Sequence, residues 1–311
     1  VLLLVGLNSC GGTAVRVAAD PPTHPSSGAI RIIGRLTPPP GEGRFTPTFL
    51  AVDPKGRLLV ADEARGAIFA YDRPEDPPIG WLAAPTGQSG GSPRFVDIRG
   101  MVASAGLNLF VLDGGTGRIY QFDLSYEARG LVLDLAGERL VSRFGDIRAT
   151  ALAIDPSGQP IVVDAAGDRL LVFDPQWSPR FDLGGPGASA GGFRDPAGVA
   201  IGPGGRIWVA DRGNRLVSVL DPVGAFLVEH EFDHAPESLA IDSSGNVYVG
   251  DAAGVVTILS RDGGRATMPP GRAGGGTAYV ALSPDGRRLF VARPVAGIVE
   301  VYEVVPAAMK P

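Results

Sequence analysis

The chain has 311 residues, 45 of them Gly and 28 Pro, and a formal net charge of -5 from 28 basic and 33 acidic side chains. That density of helix breakers excludes a helical bundle, while 44% hydrophobic against 20% charged residues excludes a disordered Gly/Pro-rich tract. The acidic balance lacks the basic face that phosphate recognition requires, so no nucleic-acid partner is expected.

Residues 1–9 (VLLLVGLNS) are apolar until their last two positions. The run is too short to span a bilayer, which takes about 20 apolar residues, and has the length of the apolar region of a secretory signal peptide. Leu7-Asn8-Ser9-Cys10 resembles the lipobox of bacterial lipoproteins, whose Cys is acylated and becomes the mature N-terminus. The alternative is a buried strand ending in an inert Cys. The resemblance implies that residues 1–9 are part of a signal peptide and that Cys10 is the lipidation site. It also implies a bacterial cell-envelope address, with the anchored domain facing the periplasm or the exterior. Residues 10–27, polar and rich in Gly, Pro and Ser, read as a flexible tether. Two or more acyl chains on Cys10 would anchor the protein stably to a membrane.

Residues 29–36 (AIRIIGRL) read as an isolated strand, and an internal repeat begins after it. Strands ending at Asp62, Asp113, Asp164, Asp211 and Asp251 recur, and a sixth copy ends at Arg293. The steps between these ends are 51, 51, 47, 40 and 42 residues, the period of a four-stranded propeller blade. Eleven residues before each Asp stands a small or β-branched residue, namely Ala51, Val102, Ala153, Ala200 and Ala240, with Ala281 one residue further back in the sixth copy. Between the two lie Pro- and Gly-rich turns such as Asp53-Pro54-Lys55-Gly56, which suit hairpins. The expected fold is an all-β, six-bladed β-propeller over residues 28–306, followed by a short tail at 307–311. Its last blade, which ends on Val299–Val304, would be closed by residues 29–36.

The fourth copy, from Gly184 through Phe193-Arg194-Asp195-Pro196-Ala197-Gly198-Val199-Ala200 to Asp211-Arg212-Gly213-Asn214-Arg215-Leu216, resembles the repeat of the NHL family of β-propellers. The resemblance implies the same six-bladed architecture. Some NHL-type propellers are zinc lyases whose His ligands converge on the channel. Here the His are His24, His230 and His234, and in an extended segment the i, i+4 pair is ~13 Å apart. Six-bladed lactonases of the gluconolactonase type, also similar, build a calcium site from several acidic and amide residues. The equivalent ring has one carboxylate and no Asn, which does not support coordination by several oxygens. Neither a metal site nor a cofactor is expected.

The repeated Asp reads as a structural acceptor of backbone N–H groups in the following turn, and the Arg or Asn of Arg212-Gly213-Asn214-Arg215, like Asp168-Arg169, as a tie of the same turn. Gly187-Ala188-Ser189-Ala190-Gly191 matches the letters of a nucleophile elbow but falls in a Gly-rich connector with no helix after it. The candidate site comes from propeller geometry. Fourteen residues before each Asp, with one more in the sixth copy, stand Thr48, Arg99, Thr150, Ala197, Glu237 and Ala278, which six innermost strands would gather around one channel mouth. Thr48, Arg99, Arg148, Thr150 and Glu237 are the ligand-binding candidates, with Arg99 and Glu237 on facing blades. The ring reads equally as a solvent-filled mouth. Connectors at 73–93 and after Asp123 are candidate partner surfaces. The combined expectation is a non-catalytic binding or scaffolding module that recognises an envelope protein or small ligand. The alternative is a lactonase-like hydrolase or lyase working at the mouth on a small exported substrate.

Overall fold

The computed structural model describes residues 16–17, 30–41, 43–85, 94–104, 106–268 and 275–305. Cys10 with the lipobox-like segment, residues 87–92 and the 307–311 tail lie outside them. The described residues form six sheets, each built on four antiparallel strands that run in sequence order from the innermost outward, except that the outer strand of the last sheet comes from the N-terminal side; one sheet carries a fifth, parallel strand. Blade 1 occupies Pro47–Leu82, blade 2 Ile98–Asp134, blade 3 Ala149–Gly184, blade 4 Gly198–Glu231, blade 5 Pro236–Met268 and blade 6 Tyr279–Val304. The innermost strands of neighbouring blades contact each other all the way round, blade 6 against blade 1 included, so the ring is closed.

Closure follows the sequence expectation. Ile30–Arg35 is the outer strand of blade 6, antiparallel to Ile298–Val304, with Ile30 opposite Val304 and Arg35 opposite Glu300. Leu36 continues the pairing by donating its N–H to the Val299 carbonyl at 2.9 Å and is itself buried. Arg16–Val17 adds a short parallel strand beyond the outer strand of blade 4, facing Glu229 and His230.

The repeat holds its register in three dimensions. Ala51, Val102, Ala153, Ala200, Ala240 and Ala281 stand opposite Leu59, Phe110, Ile161, Trp208, Tyr248 and Phe290 on the second strand of each blade, an Ala or Val facing a larger residue every time. Second strands such as Leu58–Asp62 and Pro160–Asp164 are buried throughout. Their apolar side chains, each contributing about 1.5–3 kcal/mol on full burial, fall into six clusters, one in each gap between neighbouring blades. The segment after Asp123 is not a free loop. It supplies the outer strand of blade 2, Ala128–Asp134, and the helix Glu138–Phe144, whose Leu140 is buried between blades 2 and 3.

The repeated Asp residues are buried acceptors, but most of them tie a different segment from the one the sequence suggests. Asp62, Asp113, Asp164 and Asp211 take N–H bonds from Thr46, Asp97, Arg148 and Arg194, which lie in the loops leading into their own innermost strands. Asp251 instead holds the turn that follows it, through Ala253 and Val255, and Asp164 does both, accepting from Ala166 as well. The first four carboxylates therefore fix strand ends at the channel mouth. Burial pushes the Asp211 carboxyl up to about 6 against the pull of the Arg194 and Asn214 donors. In the sixth copy the substitution of Arg for Asp builds a buried ion pair. Arg293 Nε donates to Glu300 Oε2 at 2.6 Å and its NH1 reaches across to the Gly254 carbonyl of blade 5 at 2.8 Å.

Candidate ligand-binding site at the channel mouth

Innermost strands begin, and second strands end, at the same face of the ring. In blades 1, 2, 3 and 5 the second residue of the innermost strand sits in a register shift, between Pro47 and Phe49, Ile98 and Gly100, Ala149 and Ala151, and Pro236 and Ser238. The residues so bulged are Thr48, Arg99, Thr150 and Glu237, the ring positions read from the sequence. A bulge interrupts the strict alternation of sides and re-aims a side chain, so one backbone irregularity repeated round the ring supplies the mouth.

The mouth encloses a cavity of about 230 Å³. Arg99, Arg148, Thr150 and Glu237 all line it; Thr48 does not, and its neighbour Phe49 takes that place. In blade 6 the same displacement substitutes Tyr279 for Ala278. Thr150 lines the cavity, but its hydroxyl is committed to the Pro196 carbonyl at 2.8 Å and fastens blade 3 to blade 4. Two charged lining residues, Asp97 and Arg212, are not among the candidates read from the sequence, and Asp195, behind the lining, bonds to two of the arginines in the wall. Asp97 and Asp195 stand two residues before ring positions 99 and 197. Arg212 follows Asp211 directly but leaves its own turn for Asp195 and Glu237. Asn214 and Arg169 do tie theirs, to Asp211 at 2.7 Å and Asp164 at 3.0 Å.

These side chains form one four-membered chain of ion pairs and one separate pair. Arg148 donates to Asp195 at 2.7 Å, Arg212 bridges Asp195 at 2.8 Å and Glu237 at 3.3 Å, and Arg99 pairs with Asp97 at 2.7 Å. The arginines hold the Asp195 carboxyl below the usual carboxylate range. Burial raises Glu237, with Arg212 pulling the other way. Burial and then Glu237 raise the Tyr279 phenol. Arg99, which lines the cavity, uses only its Nε in these bonds, so its two terminal nitrogens are not engaged by them. Gly114 makes room for that arginine, since a Cβ there would lie 2.6 Å from Arg99 Cγ and 2.9 Å from the Ala149 carbonyl oxygen.

A calcium ion takes six to eight oxygen ligands. At this mouth Asp97, Asp195 and Glu237 are each engaged by a guanidinium. Among the described residues no group of three or more His, Cys, Asp or Glu is placed to hold a metal. The donor set thus does not fit a lactonase-type calcium site. His230 lies away from the mouth on the outer strand of blade 4, stacked on Trp208 at 5.8 Å, and burial lowers its pKa. His234 is exposed beside Asp251, 3.6 Å away.

Comparison with known proteins agrees with this architecture. Residues 193–220 match the NHL repeat model, and residues 224–259 match the N-terminal model of strictosidine synthase-like proteins. A gluconolactonase of Zymomonas mobilis is 34% identical over 106 residues, which is 32% of this chain and only 28% of that protein's length. Among solved structures, a streptogramin B lyase superposes with a TM-score of 0.61 at 10% identity, covering 90% of this chain and 98% of the lyase. The virginiamycin B lyase of Staphylococcus aureus gives 0.61 at 11% identity over 89% and 99%. Identities this low establish the shared fold and nothing finer. The chain is a six-bladed β-propeller that carries an NHL repeat.

Proposed function

We propose that the channel mouth binds a small polar molecule bearing a carboxylate, and that an acylated Cys10 holds the propeller in the bacterial cell envelope. The observation that carries the binding reading is the convergence of Arg99, Arg148 and Arg212, from three consecutive blades, with Glu237 in one cavity. Guanidinium groups present several donors in a fixed fork that matches a carboxylate, and Glu237 offers an acceptor for a hydroxyl. The volume corresponds to roughly seven waters of liquid, enough for one sugar-sized molecule. The lipobox-like Leu7-Asn8-Ser9-Cys10 supports the envelope address. Mass spectrometry of membrane-extracted protein tests it: a diacylglyceryl mass on Cys10 is expected, and an unmodified thiol would remove the anchor.

Binding is tested by calorimetry with sugar acids and their uncharged counterparts, such as methyl β-D-glucuronoside against methyl β-D-glucoside. The carboxylate is expected to bind and the neutral sugar not. Losing a charged hydrogen bond costs about 1.5–3 kcal/mol, so Arg99→Ala should weaken binding about tenfold or more. Unchanged affinity in both Arg99→Ala and Glu237→Ala would remove the mouth as the site.

The partial match to a gluconolactonase favours a second reading, lactone hydrolysis at the same mouth. Glu237 would take a proton from water as the water oxygen bonds the lactone carbonyl carbon, and the oxyanion would face Arg99. Collapse would break the ring C–O bond, and the Glu237 proton would pass to the leaving alkoxide, giving the hydroxy acid. Titration of acid released from δ-gluconolactone separates the readings: binding without turnover leaves the first and rejects the second.

A further inference from the structure

The wall of the mouth is divided by chemistry. Blades 2, 3 and 4 contribute Arg99 with its partner Asp97, Arg148 and Arg212, and blade 5 contributes Glu237. Blades 6 and 1 contribute Tyr279 and Phe49, whose ring centroids are 5.7 Å apart at an interplanar angle of 36°. Both aromatic side chains are only partly buried. The Tyr279 hydroxyl makes no hydrogen bond within the described residues and stands in the field of Glu237.

An open-chain hydroxy acid could satisfy the guanidiniums and Glu237 but has no rigid face for the aromatic side. A planar aromatic acid has the face but no hydroxyls for Glu237 and Tyr279. A sugar in pyranose form has both, because its axial C–H groups make an apolar face and its equatorial hydroxyls make a polar rim. Aromatic side chains that join an apolar body to a polar tip suit such a molecule.

Resting on the reading that the mouth binds a carboxylate, we infer that its ligand is a uronic acid residue in ring form. The carboxylate lies on the arc of Arg99, Arg148 and Arg212, the C–H face lies against Tyr279 and Phe49, and a ring hydroxyl donates to Glu237. The cavity of about 230 Å³ admits one such residue, either free or at the end of an acidic glycan.

The test compares methyl β-D-glucuronoside, whose ring cannot open, with D-gluconate, which has six carbons and a carboxylate in an open chain. The glycoside is expected to bind at least about fivefold more tightly, the scale of one aromatic contact. Tyr279→Ala should cut that preference to less than about twofold, and an unfolding midpoint close to that of the wild-type protein shows that the variant is folded. Tyr279→Phe should keep the preference. Equal binding of the two acids by the wild-type protein would overturn the ring inference and leave the carboxylate site standing. Failure of both to bind would overturn the site itself. A disaccharide ending in glucuronate distinguishes the sources: binding tighter than the methyl glycoside points to a glycan end, and binding weaker than it to a free sugar.

Discussion

Removal of residues 1–36 is expected to open the ring and lower the unfolding temperature by about 10 °C or more. Ile30–Arg35 is the fourth strand of blade 6, so its loss strips Ile298–Val304 of a hydrogen-bonded neighbour. Ile32 and Ile33 are about half exposed, so the strand contributes little through its apolar side chains. Its weight lies in the backbone ladder, in Leu36 buried among Phe45, Leu50 and Val299, and in the joining of the two chain ends. Net backbone bonds of about 0.5–1.5 kcal/mol each and about 2 kcal/mol for Leu36 sum to the order of 5 kcal/mol. That is comparable with the whole stability of an ordinary domain. In a chain of this size each kcal/mol moves the midpoint by about 2–4 °C. The exposed edge should also promote association, visible as higher-order species in size-exclusion chromatography. A monomer with the wild-type transition would show that blade 6 closes without this strand.

Glu300→Ala is expected to destabilise the fold by about 3–5 kcal/mol, the range for removing one partner of a buried ion pair. The Arg293 and Glu300 side chains are 4% and 3% exposed. With the carboxylate gone, the Arg293 guanidinium would retain the Gly254 carbonyl as its acceptor, and the Tyr302 hydroxyl would lose its bond to Glu300 at 2.9 Å. Arg293 NH2 already lacks a partner within the described residues, which leaves little to absorb the charge. Replacing both members, Arg293→Met with Glu300→Leu, should recover most of the loss because no charge is left buried. Denaturant unfolding of the wild-type protein and the two variants measures this. A cost below about 1 kcal/mol for Glu300→Ala would mean that water reaches the guanidinium.

The architecture was legible in the sequence because a propeller repeats its signals. The Asp-terminated strands, the small residue eleven places earlier and the Pro/Gly turns occur in register. One count from each Asp located Arg99, Thr150 and Glu237 at the mouth. Phe49 and Tyr279 escaped the count by a single residue. Alternation puts successive residues of a regular strand on opposite faces, and blade 1 carries a bulge where that rule would have been applied. Arg212 escaped for another reason. It follows a buried Asp in a turn, where a basic residue normally closes the turn as Arg65 does on Asp62. Its role depends on Asp195 and Glu237, 17 and 25 residues away in sequence. The region after Asp123 carried a similar ambiguity, since the apolar spacing of its short helix becomes meaningful only once Leu140 meets the core between blades 2 and 3.

The central claim, that the channel mouth is a ligand site, is tested most directly by a crystal structure of the protein soaked with methyl β-D-glucuronoside. The account predicts density for one ligand in the mouth, its carboxylate within hydrogen-bonding distance of Arg99 or Arg148 and a hydroxyl beside Glu237. Ordered water alone at the mouth, with the sugar bound elsewhere on the ring or absent at saturating concentration, would contradict it.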